Sequence, residues 1–347
     1  SAVRERRRVS IPYHVHALQF PTLQVRETSG QVEASPVNTA RVDDVYQLHQ
    51  LLAQGGYSTV YLARERGRQC NEAVAVKLMR KDKCGPDMAL TELHVLAMAI
   101  DCRFIVEIRD CFQTSTHHGL VLTFASGGTL HTRVNRIGHC CELMARFYAA
   151  EIAEGLFFLH DLAVIHRDLN MDNILLTDSG HLQLCDFGLS HVGTVGDDVL
   201  CQPWDCPAAP QLPAPELLSG DWYSKTVDWW SYGVMLYRML CGSYPFAQRG
   251  SQERCTPDVM SVLVYKLEPF PTFISPQAKT FLQELLIRDG KRRLGHGASE
   301  RIDICKVSFF STINWQHVRD QTLPPPSTTS IIIRKPGLSV FTRSFTA

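Results

Sequence analysis

Net charge is the first thing missing: 35 Lys and Arg balance 35 Asp and Glu over 347 residues. A protein built to grip nucleic acid or an anionic membrane carries a basic excess, so the balance argues against both partners. Long apolar runs are missing as well, none approaching the ~20 residues of a membrane-spanning helix. The basic cluster Arg4, Arg6, Arg7 and Arg8 has no apolar stretch behind it and does not read as a secretory signal. Although the chain has 12 cysteines, it has no Cys-x-x-Cys pair, which leaves neither a zinc spacing nor a disulfide framework. The cysteines are expected to be mostly small buried hydrophobes, free in a reducing compartment. An intracellular, cytoplasmic protein follows, with the nucleus as the other compartment. No internal repeat is present, and nothing speaks to oligomeric state.

What is present is a 45% hydrophobic composition, enough for a globular core and, at this length, for two lobes. Residues 1–45 read as an extended leader punctuated by Pro12, Pro21 and Pro36. From residue 46 the texture changes. Val60–Ala63 and Ala73–Val76 read as strands around a turn at Arg66-Gly67-Arg68. Asp87–Ile100 reads as a helix with Pro86 just ahead of it, and Ile105–Ile108 and Leu120–Phe124 as two more strands. After Gly127-Gly128 the pattern turns helical, over Glu142–His160, Val227–Leu240 and Pro276–Ile287. Pro203–Pro215 is a loop, and the segment beyond Trp315 reads as a tail lying on a surface. Adjacent His117-His118 fall at a hairpin tip and are expected to face solvent.

Several residue groups carry chemistry. Leu52-Ala53-Gln54-Gly55-Gly56-Tyr57-Ser58-Thr59-Val60 is a Gly-containing strand–turn–strand; such a turn lets backbone N–H groups approach phosphate, and equally suits any hairpin. Val74-Ala75-Val76-Lys77 sets a lysine at the end of an apolar strand, where its ammonium needs an anionic partner. Glu92 on the next helix is the natural one, in an ion pair that a purely structural role would also explain. His166-Arg167-Asp168-Leu169-Asn170-Met171-Asp172-Asn173 precedes an apolar strand, and Asp186-Phe187-Gly188 follows. Asn173 and Asp186 are hard oxygen donors of the kind Mg²⁺ accepts alongside phosphates. Ala214-Pro215-Glu216 completes an ordered set that chance does not assemble.

That set resembles a eukaryotic protein kinase catalytic domain. The tail pattern Phe309-Phe310-x-x-Ile313-x-Trp315, Leu323-x-Pro325-Pro326 and Phe341-Thr342-x-x-Phe345-Thr346 is similar to the AGC group, nearest the protein kinase B and C subfamilies. The resemblance implies an α+β, bilobal kinase fold: a small, mainly antiparallel β N-lobe (46–124) with one key helix, a hinge (123–128) and a larger α-helical C-lobe (129–315). An extended AGC-type tail over 316–347 would stop before the family's usual later motifs. ATP and Mg²⁺ are the implied cofactors and a protein the implied substrate, with upstream or docking proteins as possible partners. Lys77 would hold phosphates and pair with Glu92, Asp168 would accept the substrate proton, and Asn173 and Asp186 would hold Mg²⁺. Leu52, Gly55, Gly56, Val60, Ala75 and Leu175 would enclose the nucleotide, with Leu122 as gatekeeper and Thr123–Ala125 as hinge backbone. Leu96, Ile108, His166 and Phe187 would stack as a spine supported by Asp228, and Glu216 would bridge to Arg293.

Four positions in the phosphate loop, the catalytic loop and the loop before Ala214-Pro215-Glu216 depart from the family pattern, and Asp205 and Thr129 add two more differences. Ala53 and Ser58 replace glycines, and their Cβ atoms would resist φ > 0 and close phosphate approach. Asn170 replaces a lysine that neutralises charge on the transferred group, and Ala209 replaces the threonine that ties that lysine to Asp168. Asp205 falls where an activating phosphothreonine would stand and could pair with Arg167 and His191. Thr129 replaces an acidic residue after the hinge glycines, leaving Asp172 as the acidic contact and weakening any preference for basic residues before the acceptor. The reading is Ser/Thr phosphoryl transfer of reduced rate, against a kinase-like scaffold that works by docking. A small-molecule kinase is disfavoured by Ala214-Pro215-Glu216 and Asp228–Gly233.

Overall fold

The computed structural model describes residues 45–66, 72–193, 213–246 and 266–326. The leader, Gly67 and Arg68 of the expected turn, Asp205 and Ala209, and the tail from residue 327 lie outside the described residues. Five antiparallel strands come first: β1 (Tyr46–Gln54), β2 (Ser58–Glu65), β3 (Ala73–Arg80), β4 (Ile108–Gln113) and β5 (His117–Thr123), in the order β1-β2-β3-β5-β4. Strand alternation sends Val76, Leu78 and Val121 to one face, where they pack with Tyr46, Ala63 and Phe112 in a small core of their own. The register opposes Val60 to Lys77, Ala75 to Leu122 and Lys77 to Leu120, so these residues share the other face.

Helix α1 (Pro86–Met98) crosses that second face. Proline suits its first turn, where an N–H has no helical partner anyway. Its buried positions Ala89, Glu92, Leu93 and Leu96 recur at helical spacing, so a carboxylate lies on the apolar side. The expected strand at Ile105–Ile108 begins only at Ile108. Phe104–Val106 instead exchanges backbone bonds with Leu184 and forms a buried connector between the lobes. His117 and His118 sit inside β5 and are half-buried, because the turn is made by the residues just before them.

The C-lobe is built on two helices buried almost all round, α3 (Glu142–Asp161) and α5 (Thr226–Cys241). Around them lie α2 (Leu130–Ile137), α4 (Pro215–Ser219), α6 (Pro276–Leu285), α7 (Glu300–Lys306) and α8 (Trp315–Arg319). Helices α2, α7 and α8 are short and polar enough to escape a periodicity reading. Helix α8 corrects the expectation of a plain surface tail. Asn314 caps it, accepting N–H bonds from Gln316 at 3.0 Å and His317 at 3.3 Å, while Trp315 packs edge-on against Phe310 with ring centroids 5.0 Å apart. Four short strands, β6 (Val164–Ile165), β7 (Ile174–Leu176), β8 (Leu182–Leu184) and β9 (His191–Val192), pair as β6–β9 and β7–β8 below the N-lobe sheet. Of the eight described cysteines only Cys84 and Cys140 are buried; five are half-buried and Cys141 is exposed, so packing absorbs fewer thiols than expected.

Candidate active site

Lys77 leaves β3 on the face covered by α1 and meets two carboxylates at once. Its Nζ donates to Glu92 Oε1 at 2.7 Å and Oε2 at 2.8 Å, and to Asp186 Oδ1 at 2.9 Å. The lysine and Glu92 side chains are 7% and 2% exposed, whereas Asp186 is 45% exposed. Burial alone would lower the Lys77 pKa, but Asp186 and then Glu92 outweigh it and hold the ammonium above its ordinary range. Burial raises the Glu92 pKa despite the lysine, while the partial desolvation of Asp186 is outweighed by Lys77, which keeps its pKa below normal. One cation is thus shared between a sealed carboxylate and a half-open one. Asp186 is the member of the trio able to hand oxygen to a second cation.

The catalytic-loop residues gather opposite. Asp168 is held by two amides: Asn170 Nδ2 donates to Asp168 Oδ1 at 3.3 Å, and Asn173 Nδ2 donates to Asp168 Oδ2 at 3.1 Å. Both amides also donate to the Asp168 carbonyl, at 3.1 Å and 2.9 Å. Asn170 Oδ1 accepts the N–H groups of Asp172 and Asn173, capping the 3₁₀ turn Met171–Asn173. The residue expected to stand in for a phosphate-facing lysine is therefore buried and used at both ends. It organises Asp168 and its own loop.

Beneath the loop, Asp228 at the start of α5 accepts the His166 and Arg167 N–H groups, each at 2.9 Å. Arg167 has φ 65°, a left-handed conformation costly for any residue with a Cβ, and these bonds help keep it there. Its guanidinium donates to the Leu189 and Ser190 carbonyls and to the Tyr223 hydroxyl. His166 packs at a tilt against Phe187 with ring centroids 5.1 Å apart, and Phe187, Leu96 and Ile108 are buried in the same core. Asp186 itself takes φ 64°. His191 lies on β9 opposite Ile165. Glu216 on α4 receives Arg293 bidentately at 2.6 and 2.9 Å.

The remaining expected residues differ in burial. Val60, Ala75 and Leu175 are half-buried, Leu122 is buried, and Leu52 is exposed on β1. Shortly after Thr123–Ala125, where the hinge is expected, the Gly127 N–H donates to the Leu176 carbonyl at 2.9 Å. A Cβ on Gly127 would come within 2.7 Å of Leu176 Cβ, and Gly128 has φ 74°, so both positions require glycine. Gly55 N–H closes the β1–β2 turn on the Ser58 carbonyl at 2.8 Å. Neither Ala53 nor Ser58 takes a positive φ; both belong to strand pairs, so their Cβ atoms introduce no backbone strain there. Backbone strain is therefore no cost of these two side chains. Cys185, beside Asp186, is half-buried, and burial pushes its thiol pKa far up.

The donor chemistry fits a nucleotide-bound divalent cation. Asn173 turns its amide nitrogen to Asp168, leaving its carbonyl oxygen for a ligand, and Asp186 offers a half-exposed carboxylate. Among the described residues no cluster of three or more His, Cys, Asp or Glu side chains could hold a metal alone. Two oxygen donors suit a magnesium ion whose shell is completed by phosphates and water.

Two residues escaped the sequence reading. His160 on α3 bonds Asp228 Oδ2 at 2.8 Å and Glu300 Oε1 at 2.6 Å; its place one turn after Leu156 on a buried helix was a signal, but Glu300 lies 140 positions away. His131 on α2 contacts Asp172, and no local pattern pointed to it.

The sequence was also compared with known proteins. The family model "Protein kinase domain" matches residues 46–308. "Serine/threonine-protein kinase akt-1" of Caenorhabditis elegans is 32% identical over 313 residues, 88% of this chain and 54% of that protein. The human "RAC-beta serine/threonine-protein kinase" is 34% identical over 281 residues, covering 80% of this chain and 56% of the relative. "Protein kinase C, eye isozyme" of Drosophila melanogaster is 34% identical over 304 residues, 86% and 41% of the two chains. The chain thus spans about half the length of the curated relatives it matches. Among the described residues no helix is long and apolar enough to cross a membrane. With a two-lobed fold, a lysine shared between helix and Asp-Phe-Gly carboxylates, and a family match over most of its length, the chain belongs to the protein kinase domain family.

Proposed function

We propose that the protein transfers the γ-phosphoryl group of ATP to Ser or Thr hydroxyls of protein substrates, with a weakened preference for basic residues before the acceptor. One observation carries the reading: Lys77 joins Glu92 and Asp186 in the same cleft where two amides orient Asp168. The names of the relatives, serine/threonine-protein kinases and protein kinases C, support the chemical class. Magnesium-bound ATP would supply the transferable group and a Lewis acid that draws charge from its oxygens. Asn173 and Asp186 would hold the cation, and Lys77 would balance phosphate charge while Glu92 fixes its position. Asp168, with one amide on each oxygen, is set to orient the incoming hydroxyl and take its proton. Val60, Ala75, Leu122 and Leu175 would enclose the base, with the Thr123–Ala125 backbone along its edge.

Asn170 contributes no positive charge, so phosphoryl transfer is expected to be slow. That same observation favours a second reading, a kinase-like scaffold that binds nucleotide weakly. Radiolabelled ATP with a mixture of Ser/Thr peptides separates the two, with Asp186→Asn as control. Label that vanishes in the variant supports the transferase. No label in either protein, with no thermal shift on adding Mg·ATP, supports the scaffold.

A further inference from the structure

The rim of the cleft beside Asp168 carries a contact that the phosphoryl-transfer reading does not use. Asp172 lies four residues after Asp168, and its backbone N–H is pinned by Asn170 Oδ1 at 2.9 Å, the residue that also holds Asp168. Its backbone is thus tied to the same asparagine that holds Asp168, and its side chain is 44% exposed. Helix α2 packs against the same 3₁₀ turn and presents His131 from its first turn. The imidazole Nδ1 lies 2.8 Å from Asp172 Oδ1 and 3.0 Å from Oδ2. Both acceptors are carboxylate oxygens, so Nδ1 carries a hydrogen, shared across the edge that a guanidinium fork would engage.

Helix α2 itself offers no replacement carboxylate. Helix α2 reads Leu-His-Thr-Arg-Val-Asn-Arg-Ile, with Arg133 and Arg136 and no acid. Thr129, at its N-cap, spends its hydroxyl on the Thr132 N–H at 3.1 Å and on the Thr132 hydroxyl at 3.0 Å. An arginine arriving ahead of an acceptor hydroxyl must displace His131 before it can pair with Asp172 through both oxygens. A neutral polar side chain faces no such competition.

We propose that His131 is a specificity-determining residue: by occupying the Asp172 carboxylate it turns the substrate groove from arginine-rich peptides toward acceptor sites preceded by neutral polar side chains. This rests on the phosphoryl-transfer reading for its turnover measurement, though not for its binding measurement.

The test uses paired peptides, identical except for Arg or Gln at the positions ahead of one Ser. For each pair kcat/KM is measured with the wild type, His131→Phe, Asp172→Asn and the double variant. The wild type is expected to use the Gln peptide at least as well as the Arg peptide, within about threefold. His131→Phe should raise the Arg-over-Gln ratio by about tenfold, the scale of one regained charge-assisted bidentate contact. The double variant should return to the wild-type ratio. An unchanged ratio in His131→Phe overturns the proposal, and so does a gain that survives Asp172→Asn. The same ratio is read independently from peptide Kd values by fluorescence anisotropy. If no protein phosphorylates any peptide, the phosphoryl-transfer reading falls, while the ratio of Kd values still decides the role of His131.

Discussion

Two buried ion networks sit on either side of the catalytic loop, and they are built to opposite ends. In the cleft, Lys77 joins Glu92 and Asp186, and one carboxylate stays half open. In the C-lobe, His160 joins Asp228 and Glu300, with Lys225 Nζ on Glu300 Oε2 at 2.7 Å and the Trp229 indole N–H on Glu300 Oε1. There the His160 and Asp228 side chains are each 1% exposed. The cleft network leaves one ligand able to exchange partners. The C-lobe network has every group committed, and Asp228 spends its oxygens on backbone N–H groups that shape the loop. Open networks serve chemistry, whereas closed ones hold geometry.

The sharpest break in that comparison comes from His160→Leu. It removes the cation shared by two buried carboxylates, leaving Glu300 with Lys225 and Trp229 and Asp228 with the two backbone N–H groups of its loop. Chemical denaturation is expected to report a loss of about 3–5 kcal/mol. Lys77→Met is expected to cost activity instead. Transfer should fall by about a hundredfold or more, read by radiolabel. Stability should drop by only about 1–2 kcal/mol, since Glu92 can protonate and Asp186 can turn to solvent. If both variants lose equal stability, the contrast between open and closed networks is wrong.

A pH series sharpens the same point. Burial would lower the His160 pKa, but Glu300 and Asp228 raise it to about 9, above the ordinary 6.5. The folded protein thus binds the proton more tightly than the unfolded chain. This stabilisation is complete below about pH 6.5 and is lost as pH rises through about 9. It amounts to about 3 kcal/mol. Glu300 behaves oppositely: held down at about 2, it stabilises above its ordinary 4.5, and the benefit fades as pH falls toward about 2. Melting temperatures should therefore decline between pH 6.5 and 9, and His160→Leu should flatten that decline. The smallest expected effect is that of Asn170→Ala, which removes the 3₁₀ cap and one amide from Asp168. A stability loss of about 1 kcal/mol is expected, with a several-fold slower transfer.

Much of the cleft was legible because its residues come as local groups at tight spacings. Val-Ala-Val-Lys lies on one strand, and Asp168, Asn170 and Asn173 lie on one loop. Glu92 could be paired with Lys77 because helical spacing put the carboxylate on the apolar side of α1. The short elements were harder to see. Helix α8 depends on an Asn cap and a tryptophan anchor, which periodicity does not register over five residues. His117 and His118 were misplaced because polar residues in a half-buried strand resemble a turn.

The sequence by itself determined which chemical groups this protein owns and their order: Lys77, Glu92, Asp168, Asn173 and Asp186, and the apolar strands and helices that carry them. Only the tertiary structure decided how those groups divide their partners. Asp186 shares Lys77 with Glu92, Asn170 turns inward to Asp168, and His131 covers Asp172. Local spacing dictates which face of a strand or helix a side chain occupies. Hydrogen bonds and ion pairs between residues 41, 109 or 140 positions apart depend on how whole elements pack. No window of sequence contains both partners.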